Sequence, residues 1–133
     1  RGFIIPDLPP EEGEDFFNLT RKYGIDPVMI FAPTSTPERM EELSRFGRGF
    51  IYCVARKGVT GKQTDFDEEF NSYMQRCRAN TDLPLAVGFG ISRKEDVDSL
   101  IGRADIAVIG TRTIKLVEEQ GVEAVGPFIA GLR

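Results

Sequence analysis

The sequence predicts an α/β fold in which a parallel β-sheet is covered by helices. Five short apolar runs alternate with amphipathic stretches along the 133 residues. The runs are apolar on both faces, which is typical of strands in a parallel sheet. An open doubly wound sheet and a (β/α) barrel both satisfy this series. In either fold, binding residues are expected at the carboxyl ends of the strands.

Strands are expected at the apolar runs, which are residues 2–7, 26–33, 49–56, 83–91 and 104–110. Helices are expected at residues 9–24, 35–47, 68–81, 92–103, 111–121 and 122–133. No low-complexity linker interrupts the series, so residues 1–133 are expected to form a single domain.

The early helices have distinct boundary signals. The stretch PPEEGEDFFNLTRKYG, residues 9–24, begins with prolines and acids and ends with bases and a glycine, which suits the helix macrodipole. In the second helix Pro37 occupies the first turn, so Ser35 or Thr36 is expected to cap it. Gly47 closes that helix.

Polar residues precede the later predicted helices. The loop KGVTGKQTDFD precedes the helix expected at residues 68–81. In the next unit, Ser92 and Glu95 have the spacing of a capping box. Each apolar run is therefore followed by a helix whose start is marked by its own residues.

Composition excludes several classes of protein. The net charge of −4 argues against a nucleic-acid partner, and no apolar stretch reaches the roughly 18 residues that span a membrane. Because the chain has no histidine, a metal site is not expected. Cys53 and Cys77 are expected to be reduced core thiols of a cytoplasmic protein. The first residue is Arg1 rather than methionine, so a preceding segment is expected.

Glycines end the last two apolar runs. Gly88, Gly90 and Gly110 allow the backbone to come close to a ligand, and the peptide N–H groups that follow favour an anion. Loops after the last two strands of barrel enzymes often bind phosphate. Tight turns between strand and helix would also explain these glycines.

The helix at residues 111–121 has its charges reversed relative to the helix dipole. Arg112 and Lys115 lie in its first turns, and Glu118 and Glu119 lie in its last. A bound anion at the helix start would offset this arrangement. A solvated surface helix would also tolerate it.

The loop RKGVTGKQTDF, residues 56–66, is a second candidate contact. Its glycines, its bases and the Thr60 hydroxyl suit a lid or a phosphate contact. A surface loop that merely connects strand and helix would have the same residues. In the preceding strand, Tyr52 shares a face with Phe50 and Val54 and is expected to point inward. A core tyrosine is the alternative.

Five motifs together resemble the tryptophan synthase α chain: IPDLPPEE, APTST, GFIYCVARKGVTG, LAVGFGIS and IGT, in this order. The combination of GVTG and VGFGIS at this separation is the most specific of them. The resemblance runs over essentially the whole chain and implies a partial (β/α)₈ TIM barrel, strands 4 to 8 with their helices. The N-terminal βα units would then precede this sequence.

The resemblance also implies an activity. The family cleaves indole-3-glycerol phosphate to indole and glyceraldehyde 3-phosphate by a retro-aldol reaction. It needs no cofactor itself and works in an αββα complex, in which indole passes to a β subunit that carries pyridoxal phosphate.

Site residues follow from the matching motifs. The phosphate is expected against the residues Gly61, Phe89, Gly90, Gly110 and Thr111. Tyr52 would line the indole-glycerol pocket, and Thr60 would help to position a catalytic aspartate. Asp7 and Pro9 would lie in the loop that faces the β subunit.

The sequence departs from the family pattern beside the phosphate loop and in its carboxylates. Thr111 replaces the usual serine, and Arg112 and Thr113 replace small or apolar residues. The family's catalytic glutamate and aspartate belong to the second strand and the loop after it, which this sequence does not contain. Since an acid–base group contributes about 10²–10⁴ in rate, the chain alone is expected to be nearly inactive.

Two other functions fit part of the pattern. Another sugar-phosphate isomerase or epimerase would share the glycines but has no reason to carry GVTG and DLPPEE together. A non-catalytic subunit that binds and activates the β chain is the third possibility. The upstream sequence would discriminate among the three.

Overall fold

Five parallel strands form one sheet in chain order. The computed structural model describes residues 1–55, 68–88 and 90–133. The strands are β1 Gly2–Ile4, β2 Asp26–Phe31, β3 Ile51–Val54, β4 Leu85–Gly88 and β5 Ile106–Val108. Each strand pairs in parallel with the next one along the chain. This order is that of a (β/α) barrel, because a doubly wound sheet would reverse its order at a switch point.

Helices follow the strands as the sequence predicts. The α-helices are α1 Glu14–Tyr23, α2 Pro37–Phe46, α3 Glu68–Ala79, α4 Lys94–Asp98, α5 Thr111–Gln120 and α6 Val125–Gly131. Short 3₁₀ segments cover Pro10–Glu12 and Val122–Ala124. The five strands with their helices correspond to five of the eight units of a TIM barrel. This unit is called the half-barrel below.

The helix predicted at residues 9–24 is divided in the structure. A 3₁₀ turn ends at Glu12, and α1 begins only after Gly13. The Phe17 ring packs over this glycine, so that a Cβ at Gly13 would lie 2.7 Å from its Cε2 atom. The packing of Phe17 therefore explains why the helix is interrupted at Gly13. The prolines and acids of the sequence do not predict this interruption.

Helix caps were predicted correctly for α2 and wrongly for α4. Thr36 Oγ1 accepts the Arg39 N–H at 3.3 Å, which confirms Thr36 as a cap. Helix α4 begins at Lys94, two residues later than predicted, so Asp96 replaces Glu95 as the capping acid. Its Oδ2 accepts the N–H of Ser92 at 2.9 Å and of Arg93 at 3.2 Å. Although burial opposes the shift, these hydrogen bonds hold the pKa of Asp96 below its ordinary value.

The hydrophobic core lies between the sheet and the helices. Six buried side chains of the central strands face this layer: Met29, Phe31, Ile51, Cys53, Leu85 and Val87. They pack with the buried helix residues Met40, Leu43, Tyr73, Met74 and Cys77. The two cysteines are free and fully buried, as predicted for core thiols.

The opposite face of the sheet, called the inner face here, is only partly covered. Val54, Gly88 and Val108 are in register across it and are all half-buried. At the two edge strands, the inner-face residues Ile4 and Ile106 are 44% and 38% exposed. Ala86, at the centre of this face, is fully buried, so the prediction that the strands are buried on both faces holds at the centre of the sheet and fails at its edges. In a closed barrel, further strands would cover the inner face and both edges.

A buried hydrogen bond joins α3 to the end of β2. The Tyr73 hydroxyl donates to the Phe31 carbonyl at 2.8 Å, and burial raises the pKa of Tyr73. We expect Tyr73→Phe to lower the free energy of unfolding by about 1–2 kcal/mol, because a buried carbonyl loses its partner. Urea unfolding measures this loss. The control Tyr23→Phe changes a tyrosine that is 66% exposed, and equal losses in the two variants would contradict the prediction.

The Asp105 carboxylate joins the beginnings of β4 and β5. Its Oδ2 accepts the Leu85 N–H at 2.7 Å and also binds Arg78. The Leu85 N–H, and then Arg78, hold the pKa of Asp105 below its ordinary value. The carboxylate therefore stabilises the fold above its unfolded pKa of about 4, and this contribution is lost as the pH falls through the lower folded value.

Asp105→Asn is accordingly expected to flatten the acid limb of the stability–pH curve. The loss at pH 7 should stay below about 1 kcal/mol, because the side chain is 49% exposed and its ion pair is screened. Urea unfolding from pH 7 to pH 3 tests this. As a control, Asp98→Asn removes an exposed carboxylate that pairs with Lys94 on one helix. An acid limb as steep in Asp105→Asn as in the unmodified protein would contradict the prediction.

Candidate functional site

A cavity of about 360 Å³ opens where β3, β4 and β5 approach their carboxyl ends. Its lining residues are Tyr52, Gly88, Gly90, Ile91, Ser92, Val108, Gly110, Thr111, Arg112 and Lys115. The fold thus brings together four residues that the sequence selected for substrate binding: Tyr52, Gly90, Gly110 and Thr111. They come from three successive βα units and are separated by as many as 59 residues in sequence.

Other selected residues lie elsewhere. Thr60, Gly61 and Phe89 fall outside the described residues. Asp7 and Pro9 lie beyond the end of β1, in the segment that leads into the first 3₁₀ turn. The cavity and the segment of Asp7 are therefore two separate features at the same end of the sheet.

Tyr52 and Gly88 interlock on the inner face. Tyr52 is in register with Ala86, yet its hydroxyl reaches Gly88, so the ring leans along the strands toward their carboxyl ends. A Cβ at Gly88 would overlap the Tyr52 hydroxyl and lie 2.7 Å from Cζ. The tyrosine thus fills the side-chain space at Gly88, while the Gly88 backbone still lines the cavity.

Gly90 and Gly110 serve the cavity in different ways. Gly90 has a φ of 53°, in the left-handed region that favours glycine. Gly110 has a φ of −98°, and a Cβ built on it would meet no atom within 4 Å. The space beside Gly110 is therefore open, and the close approach of a ligand there stays a prediction.

The start of α5 presents backbone donors to the cavity. Helix α5 begins at Thr111, and no side chain in the described part of the chain caps its first turn. The N–H groups of a first helical turn have no partner within the helix, and the helix dipole makes them attractive to an anion. The start of α5 therefore offers neutral donors that would suit an anion.

The Arg112 side chain contacts one residue of α5 and one of α6. Its Nη1 lies 3.7 Å from Glu119 Oε2, and its Cζ lies 5.8 Å from the centre of the Phe128 ring. The guanidinium thus extends toward the C-terminal end of α5, where Glu119 offsets part of the reversed charge pattern. A bound anion is not required to explain Arg112.

Ser92 and Lys115 also line the cavity, although the sequence predicts other roles for them. The spacing of Ser92 predicts a helix cap, and Lys115 belongs to the reversed charge pattern of α5. Their spacing from selected residues was an available signal, because Ser92 follows Gly90 by two positions and Lys115 follows Thr111 by one helical turn.

The segment that contains Asp7 is held against α2. Arg39 donates to both carboxylate oxygens of Glu11, with Nη2 at 3.1 Å from Oε2, and also binds Glu42 at 2.7 Å. The hydrogen bond from Arg39 lowers the pKa of Glu11. This bidentate pair fixes the first 3₁₀ turn, while Asp7 itself is exposed.

The described residues include no cluster of three or more acids, cysteines or histidines able to hold a metal ion. Over the same residues, none of the helices has the length and apolarity needed to cross a membrane.

Comparison with known proteins identifies the family. The family model described as tryptophan synthase alpha chain matches residues 1–126. The chain belongs to this family. The tryptophan synthase alpha chain of Desulfotalea psychrophila is 59% identical over 133 residues, which are 100% of this chain and 52% of the relative. That of Syntrophotalea carbinolica is 50% identical over 132 residues, 99% of this chain and 52% of the relative.

Solved structures agree with this family. A tryptophan synthase a2b2 complex from Pyrococcus furiosus contains a chain that matches with a TM-score of 0.86 at 29% identity, over 98% of this chain and 54% of that one. A structure from Aquifex aeolicus VF5 matches with a TM-score of 0.82 at 34% identity, over 98% and 49%. The half-barrel thus spans about half the length of the tryptophan synthase alpha chains that it matches.

Proposed function

We propose that this chain is the phosphate-binding part of a tryptophan synthase α subunit, which cleaves indole-3-glycerol phosphate to indole and glyceraldehyde 3-phosphate. The observation that carries the proposal is the cavity that gathers Gly90, Gly110 and Thr111 in a chain of this family. The retro-aldol reaction classes the whole protein as a carbon–carbon lyase of tryptophan biosynthesis, acting in the cytoplasm.

The chemistry of the cavity supports this substrate. The substrate phosphate would accept hydrogen bonds from the first turn of α5 and from the backbone near Gly90. Gly61 and Phe89 would add contacts, as the family resemblance implies. The apolar ring of Tyr52 would line the indole-glycerol part of the pocket, on the inner face beside Gly88.

The bond-breaking groups are expected in the rest of the protein. The family resemblance places a glutamate on the second strand, where it acts as acid and base, and an aspartate after it that contacts the indole nitrogen. Thr60 would help to position this aspartate. The 133 residues alone would then bind substrate weakly and cleave it hardly at all.

A β subunit is the proposed partner. Asp7 is exposed, and the Arg39–Glu11 pair holds the turn that follows Pro9, so this segment offers a defined surface. The pyridoxal phosphate of the αββα complex would belong to the β subunit, and this subunit would need no cofactor of its own.

A non-catalytic subunit that activates the β chain is the second candidate, favoured by the exposed segment of Asp7 and by Arg112 at a position that is usually small or apolar. A different sugar-phosphate isomerase or epimerase has weaker support, because the family match covers residues 1–126.

Indole release from indole-3-glycerol phosphate by the full-length protein tests the proposal, with and without the β subunit. We expect cleavage that the β subunit accelerates. Activation of the β subunit without cleavage would establish the second candidate. If neither is seen, the assignment to tryptophan synthesis is wrong.

A further inference from the structure

Two cations of α5, Arg112 and Lys115, line the cavity, and they differ in the partners that they contact. The Arg112 guanidinium contacts Glu119 and the Phe128 ring. Lys115 also lines the cavity, and among residues 1–55, 68–88 and 90–133 it forms no ion pair. Within the described part of the chain, the Lys115 ammonium is therefore uncommitted.

The position of Lys115 suits a group bound at the helix start. Side chains of a helix lean toward its N-terminus, and Lys115 follows Thr111 by four residues on the same face. Lys115 therefore extends over the turn that begins α5. Ser92 lines the same cavity from the start of the preceding helical segment.

Apart from Arg112, which is paired with Glu119, the other described residues of the cavity offer an anion neutral donors. These are the N–H groups of the first turn of α5 and the Thr111 hydroxyl, whereas the Ser92 hydroxyl donates to Asp96 Oδ2 at 3.1 Å. A phosphate monoester carries about −1.5 to −2 charges at pH 7. A lysine ammonium beside such donors supplies the formal charge that they lack.

We propose that Lys115 is a substrate-affinity residue whose ammonium binds the phosphate of the substrate. The inference rests on the proposed function and adds a side-chain contact to its backbone site. Lys115 does not touch the bond that is cleaved, so it acts on substrate binding and leaves the chemical step unchanged.

The test compares variants of the full-length protein in complex with the β subunit. Lys115→Gln is expected to raise the KM for indole-3-glycerol phosphate about tenfold, equivalent to about 1.4 kcal/mol, and to change kcat by less than about twofold. Lys115→Arg should restore most of the affinity. The KM of the unmodified protein should also rise more steeply with salt than that of Lys115→Gln.

Calorimetric titration with inorganic phosphate gives a readout that does not depend on cleavage. Its dissociation constant should rise about tenfold in Lys115→Gln and less than about threefold in Arg112→Gln, because that guanidinium is paired with Glu119. Arg45→Gln is the matched control, since Arg45 pairs with Glu41 on α2 and lies outside the cavity.

The outcomes separate this inference from the proposed function. If Gly90→Val weakens phosphate binding and Lys115→Gln does not, the phosphate site stands and the role of Lys115 is wrong. Equal losses in Lys115→Gln and Arg45→Gln would reduce the effect to net charge and also overturn the inference. If phosphate binds none of the proteins, the phosphate site of the proposed function fails as well.

Discussion

Gly88→Ala is expected to lower kcat/KM for indole-3-glycerol phosphate at least about tenfold in the full-length protein. The new Cβ would overlap the Tyr52 hydroxyl and lie 2.7 Å from Cζ and 3.1 Å from Cε2. Because the hydroxyl oxygen and two ring carbons are all too close, the Tyr52 side chain must shift to relieve the clash. A displaced ring would change the lining of the cavity, and overpacking of this kind costs about 1–3 kcal/mol of stability.

A second substitution tests this cause. Tyr52→Ala removes all three clashing atoms, so Gly88→Ala should cost much less stability in the Tyr52→Ala background than alone, with a coupling of about 1–3 kcal/mol. Urea unfolding of the four proteins of the cycle measures it. Gly126→Ala is the control, because a Cβ there meets no atom within 4 Å. Additive losses in the cycle would show that the ring and the glycine are independent.

Gly90→Val is expected to raise the KM for indole-3-glycerol phosphate about a hundredfold or more. Two effects combine at this position. A β-branched residue is strained at a φ of 53°, and its side chain would stand at a backbone that lines the cavity. Since the phosphate is not changed by the reaction, most of the loss should fall on binding. Steady-state kinetics separate KM from kcat.

Gly102→Val is the matched control for backbone strain. Gly102 has a φ of 78°, and it does not line this cavity. Both variants should lose stability, but Gly102→Val should keep its KM. If Gly90→Val also keeps its KM, then Gly90 is merely a turn residue, which is the alternative that its sequence position left open.

The sequence was sufficient to predict the order of the strands and helices, because each apolar run is bounded by its own proline, glycine or acidic signals. It also selected Tyr52, Gly90, Gly110 and Thr111, which the fold brings to one cavity. The spacing of the glycines from strand ends carried this result, since parallel strands place their carboxyl ends together. The resemblance to one family then supplied the chemistry that the spacing alone left open.

Other features depend on contacts between distant residues. Gly88 looked like a ligand contact, and only the packing of a residue 36 positions earlier shows that a tyrosine fills its space. The break at Gly13 depends on the Phe17 ring. Arg112 looked like an unbalanced cation until Glu119 and Phe128 were found beside it. Local sequence patterns do not encode such side-chain geometry.

The two buried thiols can report how often the helix layer separates from the sheet. Cys53 lies on β3 and Cys77 on α3, and neither has exposed surface. A thiol reagent can modify them only after the helix separates from the sheet, so the labelling rate measures how often this layer opens. A ligand or partner that stabilises this layer would be detected as slower labelling, without adding any probe to the chain.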